Sequence, residues 1–162
     1  MEIKADPDTL RVMETAEIES RIAKALGTFP EVTFAYLFGS RARGDARPDS
    51  DVDVAISVLE GENTGRLWLM AMGALEQALA PLKVDCILLN DAPPGLRFSV
   101  VRDGRIVLDR ATDARMEFEV STRRQYWDWE PRRRLHDEAL LKRLRDGTYG
   151  TQPRDSRPLA SR

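Results

Sequence analysis

Residues 51–58 read Asp-Val-Asp-Val-Ala-Ile-Ser-Val, and this alternation narrows the fold more than any other feature of the chain. Side chains reverse direction at each step of a strand, so Val52, Val54 and Ile56 point to one face while Asp51, Asp53 and Ala55 point to the other. The apolar face must be covered by a core. The other face carries two carboxylates that repel one another if left bare, and the same arrangement offers four hard oxygens to magnesium. A divalent ion resolves the conflict.

The preceding segment supplies a second element of the same site. Val32 to Phe38 is β-branched and aromatic, follows Pro30, and stops at Gly39-Ser40, as expected of a buried strand running into a tight turn. Glycine at that point lets the backbone approach a phosphate. The Ser40 hydroxyl, with exposed N–H groups at a helix start, is suited to bind phosphate oxygens, and Arg41 and Arg43 add positive charge. A site that holds both the attacking and the leaving oxygen of an in-line displacement needs a third carboxylate from a neighbouring strand. Asp85, within Lys83-Val84-Asp85-Cys86-Ile87-Leu88-Leu89, is the candidate. A carboxylate amid apolar residues costs several kcal/mol unless it is paired or metal-bound. Asp85 is therefore read either as a metal ligand that also accepts the proton of an attacking hydroxyl, or as a strand-end residue paired with an arginine.

Ile18, Ile22 and Leu26 recur at helical spacing, and Gly27 ends that helix. Leu67, Met70, Ala71, Ala74, Leu75, Ala78 and Leu79 define another helix, with Asn63 as its expected cap and Pro81 closing it. Val84 to Leu89 is a third strand. Leu96 to Val101 reads as a short helix, Asp103-Gly104 turns into a strand over Arg105 to Asp109, and Thr112 to Tyr126 reads as a helix with Met116, Val120 and Arg123 along one side. Pro131 is expected to interrupt it. Leu135, Ala139, Leu140 and Leu144 restore helical spacing up to Asp146-Gly147. The expected organisation is one domain over residues 1–147, with a catalytic core near 34–89, a helical part near 111–146, and a flexible tail over 148–162. A chain of 162 residues with 42% hydrophobic content fits one core of that size.

Gly39-Ser40-Arg41-Ala42-Arg43-Gly44, followed by Ser50-Asp51-Val52-Asp53 and a distant Asp85, resembles the motif set of the DNA polymerase β nucleotidyltransferase superfamily. The resemblance runs from about Phe34 to Leu89. It implies a mixed α/β (α+β) nucleotidyltransferase fold, with helices mainly on one face of the sheet and further C-terminal helices. It also implies two Mg2+ ions at Asp51, Asp53 and Asp85, ATP as substrate, and a nucleotide site formed by Gly39, Ser40, Arg43 and Ser50. The short chain looks like a minimal nucleotidyltransferase. Arg105 to Arg110, Ala114 to Glu119 and Tyr126 to Pro131 are similar to antitoxins of the HEPN/MNT toxin–antitoxin class, which implies adenylylation of a tyrosine hydroxyl on a partner HEPN ribonuclease. The same core also serves nucleotidylation of small hydroxylated molecules such as aminoglycosides, and a third reading is neutralisation of the partner by binding alone.

The other conspicuous residues carry weaker signals. His136 is read as a surface residue, and Arg132 to Arg134 as a solvated charge run rather than a docking patch. Trp127 and Trp129 are read as core packing at a helix end, and Trp68 as buried with no site role. Cys86, the one cysteine, reads as a small core residue and fits a reducing compartment. The 25 Lys and Arg nearly cancel the 27 Asp and Glu, so the chain lacks a strong field for capturing nucleic acid or an anionic membrane. The opening Met1 to Asp6 lacks a secretory pattern, and no apolar run reaches membrane-spanning length, so a cytoplasmic location is expected.

Overall fold

The computed structural model describes residues 13–48, 50–59, 61 and 64–145; for residue 129 and residues 132–145 it describes the backbone alone. The first apolar periodicity becomes α1 (Thr15–Leu26), which buries Ile18, Ile22 and Leu26 and is followed by Gly27. Then come β1 (Val32–Phe38), α2 (Gly39–Arg43), β2 (Val52–Val58), α3 (Thr64–Leu79), β3 (Val84–Leu88), α4 (Pro94–Asp103), β4 (Arg105–Asp109) and α5 (Thr112–Arg145). The expected cap Asn63 and the expected tail over 148–162 lie outside the described residues.

The four strands form one mixed sheet in the order β3-β2-β1-β4. β1 pairs antiparallel with β2 and with β4, whereas β2 and β3 run parallel. A parallel pair needs a crossover connection, and α3 supplies it. Strand alternation then sorts the core into two clusters, one on each face. Ala35, Leu37, Val52, Val54, Ile56 and Cys86 pack with α1 and α3. Phe34, Tyr36, Ala55 and Leu89 pack with Val100 of α4 and Phe118 of α5. Because β1 is covered on both sides, it reads as a continuous apolar run rather than an alternating one.

Two side chains fasten the sheet's margins. Arg110, just past β4, donates to the carbonyls of Gly27 and Phe29 at 2.5 Å and of Val32 at 3.2 Å, which holds the end of α1 and the start of β1 together. Trp68 Nε1 donates to the Cys86 carbonyl at 2.8 Å, occupying a backbone acceptor on β3, the edge strand. Trp68 is half-buried there rather than fully buried as expected.

Three expectations for the C-terminal part differ from the structure. Pro131 lies inside α5 rather than ending a helix. It forfeits one i to i−4 hydrogen bond, a local loss that long helical runs on both sides outweigh. Met116 and Val120 are 55% and 58% exposed, so they do not form the buried side of the helix. That side is set by Phe118 against Phe34 at 5.5 Å, by buried Thr122, and by Glu119, which accepts the Tyr36 hydroxyl at 2.8 Å and Arg115 Nη1 at 2.5 Å. Trp127 is 66% exposed rather than core. The chain's internal contacts divide into two units at Tyr126 and Trp127; the sheet and α1 to α4 belong to the first, and the later part of α5 to the second. Among the described residues, no helix is long and apolar enough to cross a membrane.

Candidate active site

The site is built where β1 ends and β2 and β3 begin. Gly39 closes β1 and opens α2 with a φ of +71°, in the left-handed region that side chains disfavour. Its missing side chain matters a second time. A β-carbon on Gly39 would collide with Oδ2 of Asp53 and lie 2.9 Å from its Cγ, so the Asp53 carboxylate occupies the space that glycine leaves open. The Gly39–Ser40 turn and the strand that carries Asp53 are therefore in direct contact. α2 is brief and ends at Gly44, whose φ is +81°; the Asp45 amide returns to the Ser40 carbonyl at 3.1 Å.

Strand register brings the carboxylates together. Asp53 lies opposite Phe38 on β1 and directly opposite Asp85 on β3. Both share the sheet face of Tyr36, Ala55 and Ile87, away from α1 and α3, by the alternation that sends Val54 and Cys86 to the other side. Asp51, two residues before Asp53, has the same parity. Asp51 and Asp85 are exposed and Asp53 is half-buried. Burial first, and then the charges of Asp85 and Asp51, raise the Asp53 carboxyl above its ordinary pKa, with Arg43 and Arg41 opposing. None of the three carboxylates forms an ion pair among the described residues.

Exposure alters the case for Asp85. It does not sit desolvated amid apolar residues, because its side chain faces solvent at the sheet's edge, and no arginine pairs with it among the described residues. The salt-bridge alternative therefore has no partner among the described residues. As a donor set, two carboxylates on adjoining strands and a third just before β2, none in an ion pair among the described residues, have the oxygen chemistry that a hard divalent cation takes. They are not gathered into a preformed cage: among the described residues no group of three His, Cys, Asp or Glu side chains is close enough to hold an ion.

The two arginines behave differently. Arg43 is about half exposed and pairs with Asp45 at 3.3 Å. Arg41, expected to add charge beside the phosphate, is only 6% exposed. Its Nε donates to the Ser50 carbonyl at 3.1 Å, and its Nη2 donates to the carbonyls of Ser50 at 2.6 Å and Pro48 at 3.3 Å. Ser50 Oγ in turn accepts the Arg47 amide at 2.9 Å, so this serine shapes the loop leading to Asp51.

The family model for polymerase beta and nucleotidyltransferase domains matches residues 20–113, more than half of the chain. The chain belongs to this nucleotidyltransferase family. Among solved structures, it resembles a toxin–antitoxin structure with AMP-PNP at 26% identity, covering 76% of this chain and 98% of that one, with a TM-score of 0.59. A tri-AMPylated Shewanella oneidensis HEPN toxin in complex with MNT antitoxin shares the fold at 23% identity, covering 78% and 98% of the two chains, with a TM-score of 0.57. A search of curated proteins found no significant match.

For this nucleotidyltransferase, the elements that gather Gly39, Ser40, Asp51, Asp53 and Asp85 at one end of the sheet are the β1–α2 junction and the starts of two parallel strands. The role of Arg41 escaped the reading of the sequence. An arginine beside a Gly-Ser turn reads as a phosphate ligand, and nothing in the spacing shows that the chain folds back to place the carbonyls of Pro48 and Ser50 against it.

Proposed function

We propose that the chain is an antitoxin enzyme that transfers AMP from ATP to a tyrosine hydroxyl of a HEPN-type ribonuclease partner and releases pyrophosphate. The observation that carries the transferase reading is the contact between Gly39 and the Asp53 carboxylate, with Asp85 in register across the sheet. That contact supports a reading in which the Gly39–Ser40 turn holds phosphate beside the carboxylates. Similarity to a toxin–antitoxin structure with AMP-PNP supports the partner class and the nucleotide.

In this reading Gly39 and Ser40 hold the triphosphate through the α2 backbone and the Ser40 hydroxyl, and Arg43 and the Ser50 loop flank it. Asp51, Asp53 and Asp85 would hold Mg2+, which when bound neutralises charge on the phosphate oxygens and the leaving group. The tyrosine oxygen attacks the α-phosphorus, a new P–O bond forms, and the bond from the α-phosphorus to the bridging oxygen breaks as pyrophosphate departs. Asp85, exposed and adjacent to Asp53, accepts the hydroxyl proton.

Incubation with α-labelled ATP, Mg2+ and a HEPN-type partner should label the partner and release pyrophosphate in equal amount. Replacing the acceptor tyrosine by phenylalanine should abolish labelling. Label appearing instead on an aminoglycoside would redirect the acceptor, and neutralisation of the partner without any label would leave an antitoxin that acts by binding.

A further inference from the structure

A guanidinium taken out of water needs compensation, and a buried arginine ordinarily finds it in a carboxylate. Arg41 has none among the described residues. It is buried on α2 and gives its hydrogen bonds to two main-chain carbonyls, those of Pro48 and Ser50. These belong to the loop that leads from α2 to Asp51. Hydrogen bonds from a charged donor are shorter and stronger than neutral ones, and the planar fork fixes direction as well as distance.

The place of these bonds gives them their consequence. Arg41 is two residues after Gly39 and one after Ser40, and the carbonyl it grips twice is that of Ser50, the residue before Asp51. Among the described residues of this loop, the Asp45 N–H bonds the Ser40 carbonyl at 3.1 Å, the Ser50 N–H the Arg47 carbonyl at 3.0 Å, and the Arg47 N–H the Ser50 Oγ at 2.9 Å. Asp53 is located by the β1 and β3 ladders. Asp51 precedes β2: on its far side Val52 is tied to β3 through its N–H to the Lys83 carbonyl at 2.8 Å, and on its near side the path from the Gly39–Ser40 turn runs through the loop that Arg41 grips.

We propose that Arg41 is a positioning residue of the transfer reaction, clamping the Ser50 carbonyl so that Asp51 stands at a fixed offset from the Gly39–Ser40 turn. This rests on the transferase reading above. The clamp joins the two halves of the site across their connecting loop, and it works through direction: an ammonium is a point charge that cannot reproduce the fork.

The test compares the full-length wild type with Arg41→Lys and Arg41→Ala in single-turnover AMP transfer, Mn2+ binding and thermal melting. Displacing a reacting or ligand group by about an ångström can reduce rate by roughly a hundredfold, so Arg41→Lys should lower kcat by about ten- to a hundredfold. KM for ATP should stay within about threefold, because triphosphate contacts are untouched. Mn2+ affinity should fall by about tenfold or more, as when supporting partners of metal ligands are removed. Millimolar guanidinium should restore part of the Arg41→Ala rate. A raised KM for ATP at unchanged kcat, corrected by lysine, would make Arg41 a phosphate ligand and overturn the proposal. A lower melting temperature with unchanged rate per folded molecule and unchanged Mn2+ affinity would also overturn it. Wild-type protein that binds Mn2+ but transfers no AMP would defeat the transferase reading, and the Mn2+ arm would still decide whether Arg41 sets the position of Asp51.

Discussion

Gly39 and Gly44 bracket α2 and share a left-handed backbone, yet only one has a carboxylate against it, and this difference makes a sharp experiment. Alanine in that region costs roughly 1–2 kcal/mol. The smaller unfolded-state entropy of alanine returns about 0.4–1 kcal/mol, leaving a net loss near 1 kcal/mol. For a chain of this size that lowers Tm by about 2–4 °C. Gly44→Ala should show this and little else, because a β-carbon there meets nothing within 4 Å. Gly39→Ala carries the same backbone penalty and also drives its β-carbon into Oδ2 of Asp53. The carboxylate has to rotate away, which removes a proposed metal ligand from its place. Loss of one such electrostatic group predicts at least about a hundredfold lower transfer rate, or about 2.7 kcal/mol of barrier. The atoms that a β-carbon on Gly39 meets all belong to the Asp53 side chain rather than to backbone, so the strain is local and the two variants should melt within a few degrees of each other while their rates differ greatly. Melting curves and single-turnover transfer from labelled ATP measure both quantities. If Gly39→Ala transfers AMP at a rate close to that of Gly44→Ala, the contact between the turn and Asp53 has no part in the chemistry.

Asp51→Asn and Asp53→Asn should each lose about a hundredfold or more in transfer, and neither should melt lower, since each removes one charge from an unpaired cluster; near-normal turnover in either ends the metal-site assignment. Asp85→Asn should slow transfer while leaving ATP binding and Tm near wild type, because Asp85 is exposed and unpaired among the described residues; a melting loss with an unchanged rate per folded molecule would make it structural. Ser40→Ala should weaken ATP binding by about two- to tenfold, the worth of one hydrogen bond of about 0.5–1.5 kcal/mol, and calorimetry with a non-hydrolysable analogue reads it directly. Tyr36→Phe should lower stability by about 1 kcal/mol at neutral pH through loss of the bond to Glu119. Burial and Glu119 raise the Tyr36 pKa, so its folded form stays protonated when the unfolded form ionises near pH 10. Its contribution is full below pH 10 and declines above it, and the phenylalanine variant should lose up to about 1.4 kcal/mol per pH unit of that alkaline slope in denaturant titrations; identical slopes for the two proteins would contradict the burial argument.

Local pattern was enough to place every strand. The run from Val32 to Phe38 and the alternation after Asp51 are period-two signals that any tertiary context reads the same way, because a strand's side chains must face opposite sides. The same parity puts Asp53 on the face of Ala55, and it reaches Asp51 only as an expectation, since that residue lies just before β2. What parity cannot provide is register between strands or the course of a loop. That Asp85 stands opposite Asp53, that the Asp53 carboxylate fills the space beside Gly39, and that Arg41 turns to the carbonyls of Pro48 and Ser50 are all products of chain segments distant in sequence. The helix face misread at Met116 and Val120 has the same origin. Apolar spacing marks an inward side only where apolar contact decides packing, and in the early turns of α5 the ion pairs of Arg115 with Asp109 and Glu119, together with the Tyr36 hydroxyl, decide it instead. Sequence nominated the groups of the candidate site; tertiary structure decided which of them touch, because a charge's partner depends on distances that only the folded chain defines.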